Sequence, residues 1–250
     1  MISVTILTKN SQKYLWELLN ALKGFSEVLL FDNGSTDETL NIAANFENVS
    51  IHKGVFDGFG PTHNKASNLA KFDWILSIDS DEVVSEEMAN EIFKLKFDPE
   101  CVYNFPRHNY FNGKFIKWCG WYPDRQTRLY NRTKTRFSDA QVHEAVIVEG
   151  MNTVPLKGPI IHYSYECVSD FLSKMQSYSA LFAKQNAGKR RSSPLKAIFH
   201  GFFSFFKSYI LKRGFLGGYE GFLISSYNGH TAFYKYLKLY EANQKIRRSQ

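Results

Sequence analysis

Apolar residues in the first eighty positions alternate between short strand-like runs and helical spacing. Residues 2–8 are mostly β-branched and apolar, as in a buried strand, whereas leucines recur at helical spacing in 12–23 before Gly24 ends that helix. The next predicted elements are a strand at 28–31, a helix capped by Ser35 or Thr36, a strand at 49–52, a helix at 62–70 and a strand at 74–78. This alternation predicts an α/β fold with a mostly parallel, Rossmann-like sheet flanked by helices.

The remainder of the chain changes pattern twice. Residues 100–165 combine short β-like runs with aromatic and turn residues, which predicts irregular sheet and loops that close over a site. Helical spacing then returns over 168–187, 195–212 and 230–247, with a glycine-rich break at 214–221. We therefore predict one domain over residues 1–165 and a helical C-terminal region over residues 166–250.

Composition excludes several classes of protein. With 250 residues, 44% of them hydrophobic, the chain can bury one substantial core, which excludes a disordered or fibrous protein. The longest stretch without a charged residue, 221–234, is too short to span a membrane. We find no signal-peptide pattern at the N-terminus, and the three cysteines are scattered without a C-x-x-C pair. These features favour a cytoplasmic protein.

Charge is distributed unevenly along the chain. From Lys184 onward there are 13 basic residues against two acids, whereas residues 1–183 hold 18 bases and 22 acids. An acidic body with a basic tail predicts a cation-assisted site in the body and a polyanionic surface as the partner of the tail. The chain contains no known nucleic-acid reader motif, so we expect no nucleic-acid partner.

The predicted helix at 195–212 is amphipathic, with phenylalanines on one face and Lys196 and Lys207 on the other. Such a helix can lie in a membrane interface, and Lys189, Arg190 and Arg191 beside it favour an anionic inner-leaflet surface or a phosphorylated glycolipid. Alternatively, the phenylalanine stripe packs against the domain predicted over residues 1–165.

An acidic cluster directly follows the strand at 74–78. In an extended chain the side chains of Asp79 and Asp81 project to the same side, and Glu82 follows them. Carboxylates this close repel one another unless a cation compensates them, and Mg²⁺ or Mn²⁺ binds such groups together with substrate phosphates. The alternative is a solvated turn.

Polar residues also follow the first two strands. They are Thr8, Lys9 and Asn10 after the first strand, and Asp32 and Asp37 after the second. Asp32 could accept from a base N–H or a ribose hydroxyl, and Lys9 or Lys65 could neutralise phosphate, although Asp32 and Asp37 could instead serve as turn and cap residues. Ligands bind beyond the carboxyl ends of parallel strands, so three such loops at one edge predict a nucleotide site.

Three segments of the sequence, 5–10, 31–39 and 74–82, resemble family 2 glycosyltransferases, which have the A-type glycosyltransferase fold. Further motifs resemble the branch of lipopolysaccharide core β-glucosyltransferases: Gly60-Pro61 with Asn64-Lys65, Trp121-Tyr122-Pro123-Asp124, Arg128-Leu129-Tyr130 and Val142-His143-Glu144. The resemblance implies a nucleotide-sugar-binding catalytic domain over 1–165 and an acceptor- or membrane-associated helical extension over 166–250.

The resemblance also implies roles for single residues. Asp32 would contact the uracil, Asp79 the ribose or base, and Asp81 the divalent metal that bridges the donor diphosphate. The nucleotide-sugar site would comprise Thr8, Lys9, Asn10, Asp32, Lys65, Asp79, Ser80 and Arg128, with Arg125 as a further candidate for the diphosphate. The metal shell would comprise Asp81, Asp79 and His162, although His162 could instead serve the diphosphate or be a buried core histidine.

The catalytic base is the least defined of these roles. The acidic Glu-Asp pair usual in the family is missing, and His143-Glu144 occupies about its position, so the resemblance favours Glu144. Asp124 is the second candidate and Asp139 the third.

We expect an inverting, metal-dependent transfer of a hexose, glucose by the resemblance, from a UDP-sugar to a lipopolysaccharide core or another glycolipid acceptor. A positioned base would deprotonate the acceptor hydroxyl, and the metal would stabilise the leaving diphosphate. One alternative is a nucleotidyltransferase acting on sugar phosphates, but the loop after the first strand has no glycine. The other is a non-catalytic glycolipid-binding scaffold, against which Asp79, Asp81 and Glu144 argue.

Overall fold

A computed structural model describes residues 1–140 and 144–248. The first part of the chain forms β1 Ile2–Thr8, α1 Gln12–Ala21, β2 Glu27–Asp32, α2 Thr39–Ala43, β3 Val49–Lys53, α3 Phe59–Leu69, β4 Trp74–Asp79, β5 Glu82–Val84 and α4 Glu86–Lys94. Then follow β6 Cys101–Phe111, β7 Lys114–Phe115, β8 Arg125–Asn131, β9 Asn152–Pro155 and β10 Ile160–Tyr165. The last part is helical, with α5 Val168–Asn186, α6 Pro194–Phe206, a π-helical turn Lys207–Leu211, a 3₁₀ turn Gly214–Gly217 and α7 Gly218–Arg248.

The strands form one mixed sheet in the order β3-β2-β1-β4-β8-β6-β10-β5, with β7 and β9 on β6. β1 runs parallel to β2 and β4, and β3 runs parallel to β2, whereas β8 is antiparallel to β4 and to β6. The register pairs Thr8 with Asp32 and Leu7 with Asp79, so the carboxyl ends of β1, β2 and β4 meet at one edge. The predicted α/β architecture is confirmed.

The core lies around β1, β2 and β4, because most of the buried residues of these strands are apolar. All six residues of β2 are buried, and three leucines of α1 (Leu15, Leu18 and Leu19) are buried with them. A second group of buried side chains includes Ile75, Tyr130 and Phe137. This core fixes the positions at which the strands end.

The chain divides into two compact units. Residues 1–108 and 124–162 form the first, and 109–123 with the chain from Tyr163 onward form the second. Our division at 165/166 placed segment 109–123 in the first domain, whereas the structure packs it with the helices. The physical reason is an apolar cluster within the second unit, where Phe111, Ile116 and Cys119 contact Phe171 and Ile224.

Helix α6 packs on α7 through small side chains. Ala197 and Gly201 are buried, and Ser208 in the following turn is buried too. A Cβ placed on Gly201 would lie 3.3 Å from the carbonyl oxygen of Gly229, so the two backbones approach closely. The small residues therefore form the packing face of α6, and its large side chains face elsewhere.

The opposite face of α6 is apolar and exposed. Its side chains are between 38% and 78% exposed: Leu195, Ile198, Phe199, Phe202, Phe203 and Phe206. We call these six residues the apolar stripe. Within the described residues, no helix combines the length and apolar character that a membrane crossing requires.

Helix α7 begins much earlier than the sequence suggested. We predicted a glycine-rich break at 214–221 and a helix from 230, but the helix starts at Gly218 and includes Gly221. A Cβ on Gly221 would lie 1.9 Å from the carbonyl oxygen of Gly214. The glycine therefore permits a close backbone contact and does not end the helix.

Replacing Gly221 by Ala is expected to destabilise the helical unit. Helix propensity alone favours Ala over Gly by about 1 kcal/mol, but the new methyl group collides with backbone, which cannot rotate away. We expect a net loss of about 1–3 kcal/mol in the free energy of unfolding, measured by urea denaturation. An unchanged or higher stability would contradict the close contact.

Candidate active site

Three loops are joined at the carboxyl edge of the parallel strands. The backbone N–H of Asn10 donates to Ser35 Oγ at 3.0 Å, and the N–H of Thr36 donates to Asn10 Oδ1 at 2.8 Å. The hydroxyls of Ser11 and Ser80 are 2.9 Å apart. The loops after β1, β2 and β4 therefore meet, as their positions at the strand ends led us to expect. What they bind stays a prediction.

Asp32 and Asp37 stabilise the loop after β2. Asp32 is buried and accepts from the N–H groups of Gly34 and Ser35 and from Ser35 Oγ. Asp37 accepts from the N–H and hydroxyl of Thr39 at the start of α2. These contacts match the turn and cap roles, and a carboxylate keeps further lone pairs, so the uracil contact of Asp32 stays a prediction. Thr8 is buried beside this loop, and Lys9 and Asn10 are exposed above it.

A chain of alternating charges lies next to the end of β4. Arg128, delivered by β8, donates from Nη2 to Asp79 Oδ2 at 2.6 Å and to Glu82 Oε1 at 3.2 Å. Arg107 on β6 donates to the same Glu82 oxygen at 3.3 Å and from Nε to Asp124 Oδ2 at 2.8 Å. Glu82 is fully buried, and its Oε1 accepts from both guanidiniums.

Opposing effects set the protonation of this cluster. Burial alone would lower the pKa of Arg128, but the carboxylates of Asp79 and Glu82 outweigh it and raise that pKa. Burial would likewise raise the pKa of Asp79, but Arg128 outweighs it and holds that pKa below its usual range. Glu144 contributes to the raised pKa of Arg128, which places its charge within electrostatic range of the cluster.

The residues proposed for the metal are only partly brought together. His162 Nε2 lies 3.4 Å from Asp81 Oδ2, because β10 places His162 opposite Glu82 on β5. Asp79 was predicted as a third ligand, but its Oδ2 is bonded to Arg128. Among residues 1–140 and 144–248, no three His, Cys, Asp or Glu side chains are close enough to hold an ion.

The pair formed by Asp81 and His162 nevertheless fits a magnesium or manganese ion that is completed by substrate. Mg²⁺ is commonly held by one or two carboxylates while substrate phosphates and waters fill its other positions. Among the described residues, the linked charges beside the pair are the carboxylates of Asp79, Glu82 and Asp124 and the guanidiniums of Arg107 and Arg128, and Glu144 lies within electrostatic range of Arg128. The excess negative charge favours a cation.

The three candidates for the base differ in their surroundings. Asp124 is bonded through both oxygens, to Arg107 and to Gln126. Asp139 forms an exposed bidentate pair with Arg136, which lowers the pKa of Asp139. Glu144 is half-buried and within range of Arg128. His143, its partner in the motif, lies outside the described residues.

Two predicted phosphate ligands have other partners. Lys65 pairs with Asp57 on the surface of the first unit. Arg125 donates to the side chain of Asn104 and to the carbonyl of Leu156. Arg128 is the predicted cation that the structure places directly beside Asp79.

His63 is a residue of this region that the sequence analysis missed. It is buried in α3, stacks on Phe137 with ring centroids 4.4 Å apart, and its Nδ1 lies 3.1 Å from Ser77 Oγ. Its Nε2 lies 4.0 Å from Asp79 Oδ1 and has no hydrogen-bond partner among residues 1–140 and 144–248. The available signal was its position in a short helix after Gly60-Pro61. The sequence around this histidine does not distinguish a residue that packs in the core from one that takes part in the function.

Acid is expected to destabilise the protein through His63. Burial, which outweighs the nearby Asp79, lowers the pKa of this histidine from 6.5 to about 4. The unfolded chain therefore binds a proton at a higher pH than the folded one, and the free energy of unfolding should fall between pH 6.5 and pH 4 by about 3 kcal/mol. Denaturation at several pH values measures this slope. His63→Gln should remove that part of it, and an unchanged slope would contradict the assignment.

In open α/β sheets, ligands bind beyond the carboxyl ends of the parallel strands, which is where this cluster of charges lies. Residues 3–150 match the family described as Glycosyl transferase family 2, which covers more than half of the chain. The chain therefore belongs to this family, and it is a glycosyltransferase of the A-type fold.

Relatives of similar length carry related names. A glycosyltransferase of Rickettsia typhi is 28% identical, over 98% of this chain and 89% of its own. LpsC of Rhizobium meliloti, named as a lipopolysaccharide core biosynthesis glycosyltransferase, is 24% identical, over 96% of this chain and 92% of its own. Among solved structures, Staphylococcus aureus TarS 1–349 in complex with UDP-GlcNAc is 16% identical, with a TM-score of 0.47 over 100% of this chain and 92% of its own.

Proposed function

We propose that this glycosyltransferase moves a hexose, glucose in the first instance, from a UDP-sugar to a lipopolysaccharide core or another glycolipid acceptor, with inversion and with Mg²⁺ or Mn²⁺. The observation that carries the proposal is the gathering of Asp81, His162 and Glu144 around the Asp79–Arg128 pair at the carboxyl edge. In a family 2 chain, this is where a donor diphosphate and an acceptor hydroxyl would meet.

The residues at the end of β4 would position the donor. Asp81 and His162 would hold the metal, which when bound neutralises charge on the leaving diphosphate. Asp79 is held ionised by Arg128, so its Oδ1 can accept from a ribose hydroxyl, while Asp32 and the loop from Thr8 to Asn10 would surround the base. Ser80, tied to Ser11, would keep the two loops together around the donor.

Glu144 would act as the base. A single-displacement reaction needs one carboxylate to take the proton of the acceptor hydroxyl as it attacks the far face of the anomeric carbon. Both oxygens of Asp124 are engaged by neighbours, and Asp139 is held by Arg136. An α-linked donor would then give a β-linked product.

The helical unit would place the enzyme on its acceptor at the inner-leaflet surface, as a peripheral protein on the cytoplasmic side. The apolar stripe on α6 is exposed, and Lys196 and Lys207 lie in the same helical segment. Exposed apolar side chains next to cations suit an anionic lipid interface. The name of LpsC supports a lipopolysaccharide acceptor.

Family membership favours glycosyl transfer over the two alternatives, the nucleotidyltransferase and the scaffold. A direct test incubates the protein with a panel of UDP-sugars, Mg²⁺ or Mn²⁺ and a truncated lipopolysaccharide acceptor, and reads the product by mass. We expect the acceptor to gain one hexose with UDP-glucose. Release of free sugar without transfer would point to a different acceptor, and no donor turnover at all would favour the scaffold.

A further inference from the structure

The helical unit contains a cavity that the glycosyl-transfer site does not use. It has a volume of about 480 Å³ and lies between the loop from Gly188 to Ser192 and the end of α7. Its cationic lining residues are Lys189, Arg190, Arg191 and Arg247. We call this cavity the basic pocket.

The loop that forms the basic pocket is fixed to α7. The N–H of Gly188 donates to Asn243 Oδ1 at 2.9 Å, and Asn243 Nδ2 donates to the carbonyl of Arg190 at 2.8 Å. Ser192 Oγ donates to the carbonyl of Tyr236 at 2.6 Å. These bonds hold the backbone of the cationic residues in place before any ligand arrives, which reduces the entropy cost of binding.

The charge of the basic pocket is uncompensated within the described residues. None of its four cations forms an ion pair with a carboxylate of residues 1–140 or 144–248. Glu241 is the acid of this part of α7, and it does not line the pocket. Four clustered cations repel one another, and arginine forks match the geometry of a phosphate group. The pocket is therefore suited to a phosphate.

The surroundings of the basic pocket indicate where that phosphate comes from. The apolar stripe begins a few residues after Arg191, with Leu195 78% exposed and Phe199 66% exposed. An apolar groove of about 520 Å³ runs between α6 and α7, lined by Ile198, Phe202, Phe205, Phe222 and Phe233 among others. A soluble phosphate compound would gain nothing from contact with this apolar surface. A lipid carries a phosphate and an apolar chain together and could contact both.

We propose that the basic pocket binds the phosphate headgroup of a membrane lipid, whose acyl chain lies along the apolar groove between α6 and α7. The inference rests on the proposed membrane association. It adds that a specific binding site for one lipid, and not only a general attraction between basic residues and anionic lipids, holds the protein at the membrane. Bound there, a lipid would hold α6 against the bilayer surface by its exposed face.

Charge-conserving variants separate a defined site from diffuse attraction. The double variant Arg190→Lys/Arg247→Lys keeps the net charge but removes two planar guanidinium groups, which can each donate two parallel hydrogen bonds to a phosphate, from the pocket. The matched control, Arg213→Lys with Arg248→Lys, makes the same chemical change at arginines that do not line the pocket. Binding of the full chain to phosphatidylcholine vesicles, with and without phosphatidic acid, is measured by sedimentation, and glycerol phosphate alone is titrated as a soluble source.

We expect the pocket pair to weaken binding to phosphatidic acid vesicles by about fivefold or more, and the control pair by less than about twofold. Glycerol phosphate should bind far more weakly than the vesicles do. If the two double variants weakened vesicle binding equally, or if glycerol phosphate bound tightly, the lipid site would be wrong. Neither result would contradict the proposed glycosyl transfer. If the wild-type protein did not bind these vesicles, the proposed membrane association would be wrong too. Sugar transfer to a soluble acceptor fragment would then still test the proposed enzymatic activity by itself.

Discussion

Replacing Glu144 by Gln is expected to slow glycosyl transfer by about 10²–10⁴-fold, because the amide keeps the shape of the side chain but cannot take a proton. The donor should still bind, since Asp79, Asp81 and Asp32 are unchanged. The expected signature is therefore a fall in kcat with little change in KM for the UDP-sugar, measured as product mass against time.

Matched amide variants at the other two candidate bases make this test selective. Asp139→Asn should leave the rate nearly unchanged, since its carboxylate is paired with Arg136 on the surface. Asp124→Asn should lose stability as well as rate, because Arg107 would lose one of its two partners. A Glu144→Gln protein that transfers sugar at the wild-type rate would return the role of base to Asp124 or Asp139.

Replacing Arg128 by Met is expected to destabilise the first unit by about 3–5 kcal/mol, because it leaves the fully buried carboxylate of Glu82 and the partly exposed carboxylate of Asp79 without their shared guanidinium. Breaking a buried ion pair on one side costs more than the pair contributes, because Glu82 stays fully desolvated with only Arg107 beside it and Asp79 loses its guanidinium. The midpoint of urea unfolding measures the loss.

The control for this prediction is Arg136→Met. Arg136 also forms a bidentate pair with an aspartate, Asp139, but both side chains are more than half exposed. Water screens such a pair, so its removal should change stability little. If Arg128→Met and Arg136→Met lowered the free energy of unfolding equally, the burial of the Arg128 ion pairs would not explain the loss of stability.

The parallel half of the fold could be predicted from the sequence because its signals are local. The β-branched run at 2–8 and the apolar run at 28–31 match β1 and β2 within a residue or so, and Asp79 directly ends β4. The positions of the three loops at one edge then follow from the parallel connection of the strands. The location of the candidate site at this edge of the sheet could therefore be predicted from the sequence.

The remaining features depend on contacts between distant residues. Gly221 resembled a helix break, whereas it lies within α7, and its lack of a side chain lets the backbone of Gly214 approach the helix. Segment 109–123 has no sequence feature that separates it from its neighbours, and only its packing on Phe171 and Ile224 assigns it to the helical unit. Likewise, the link between Arg107 and Glu82 joins residues 25 positions apart and has no local signal.

We propose that Asp81, at the acidic end of β4, holds a divalent cation against the diphosphate of the donor. Titration of Mn²⁺, followed by the electron paramagnetic resonance of the free ion, tests it with and without UDP. We predict that UDP strengthens Mn²⁺ binding to the wild-type protein and that Asp81→Asn weakens this binding about tenfold or more. Asp73→Asn, an exposed aspartate just before the opposite end of the same strand, should bind as the wild type does. Equal Mn²⁺ binding by Asp81→Asn and the wild type in the presence of UDP would contradict the claim.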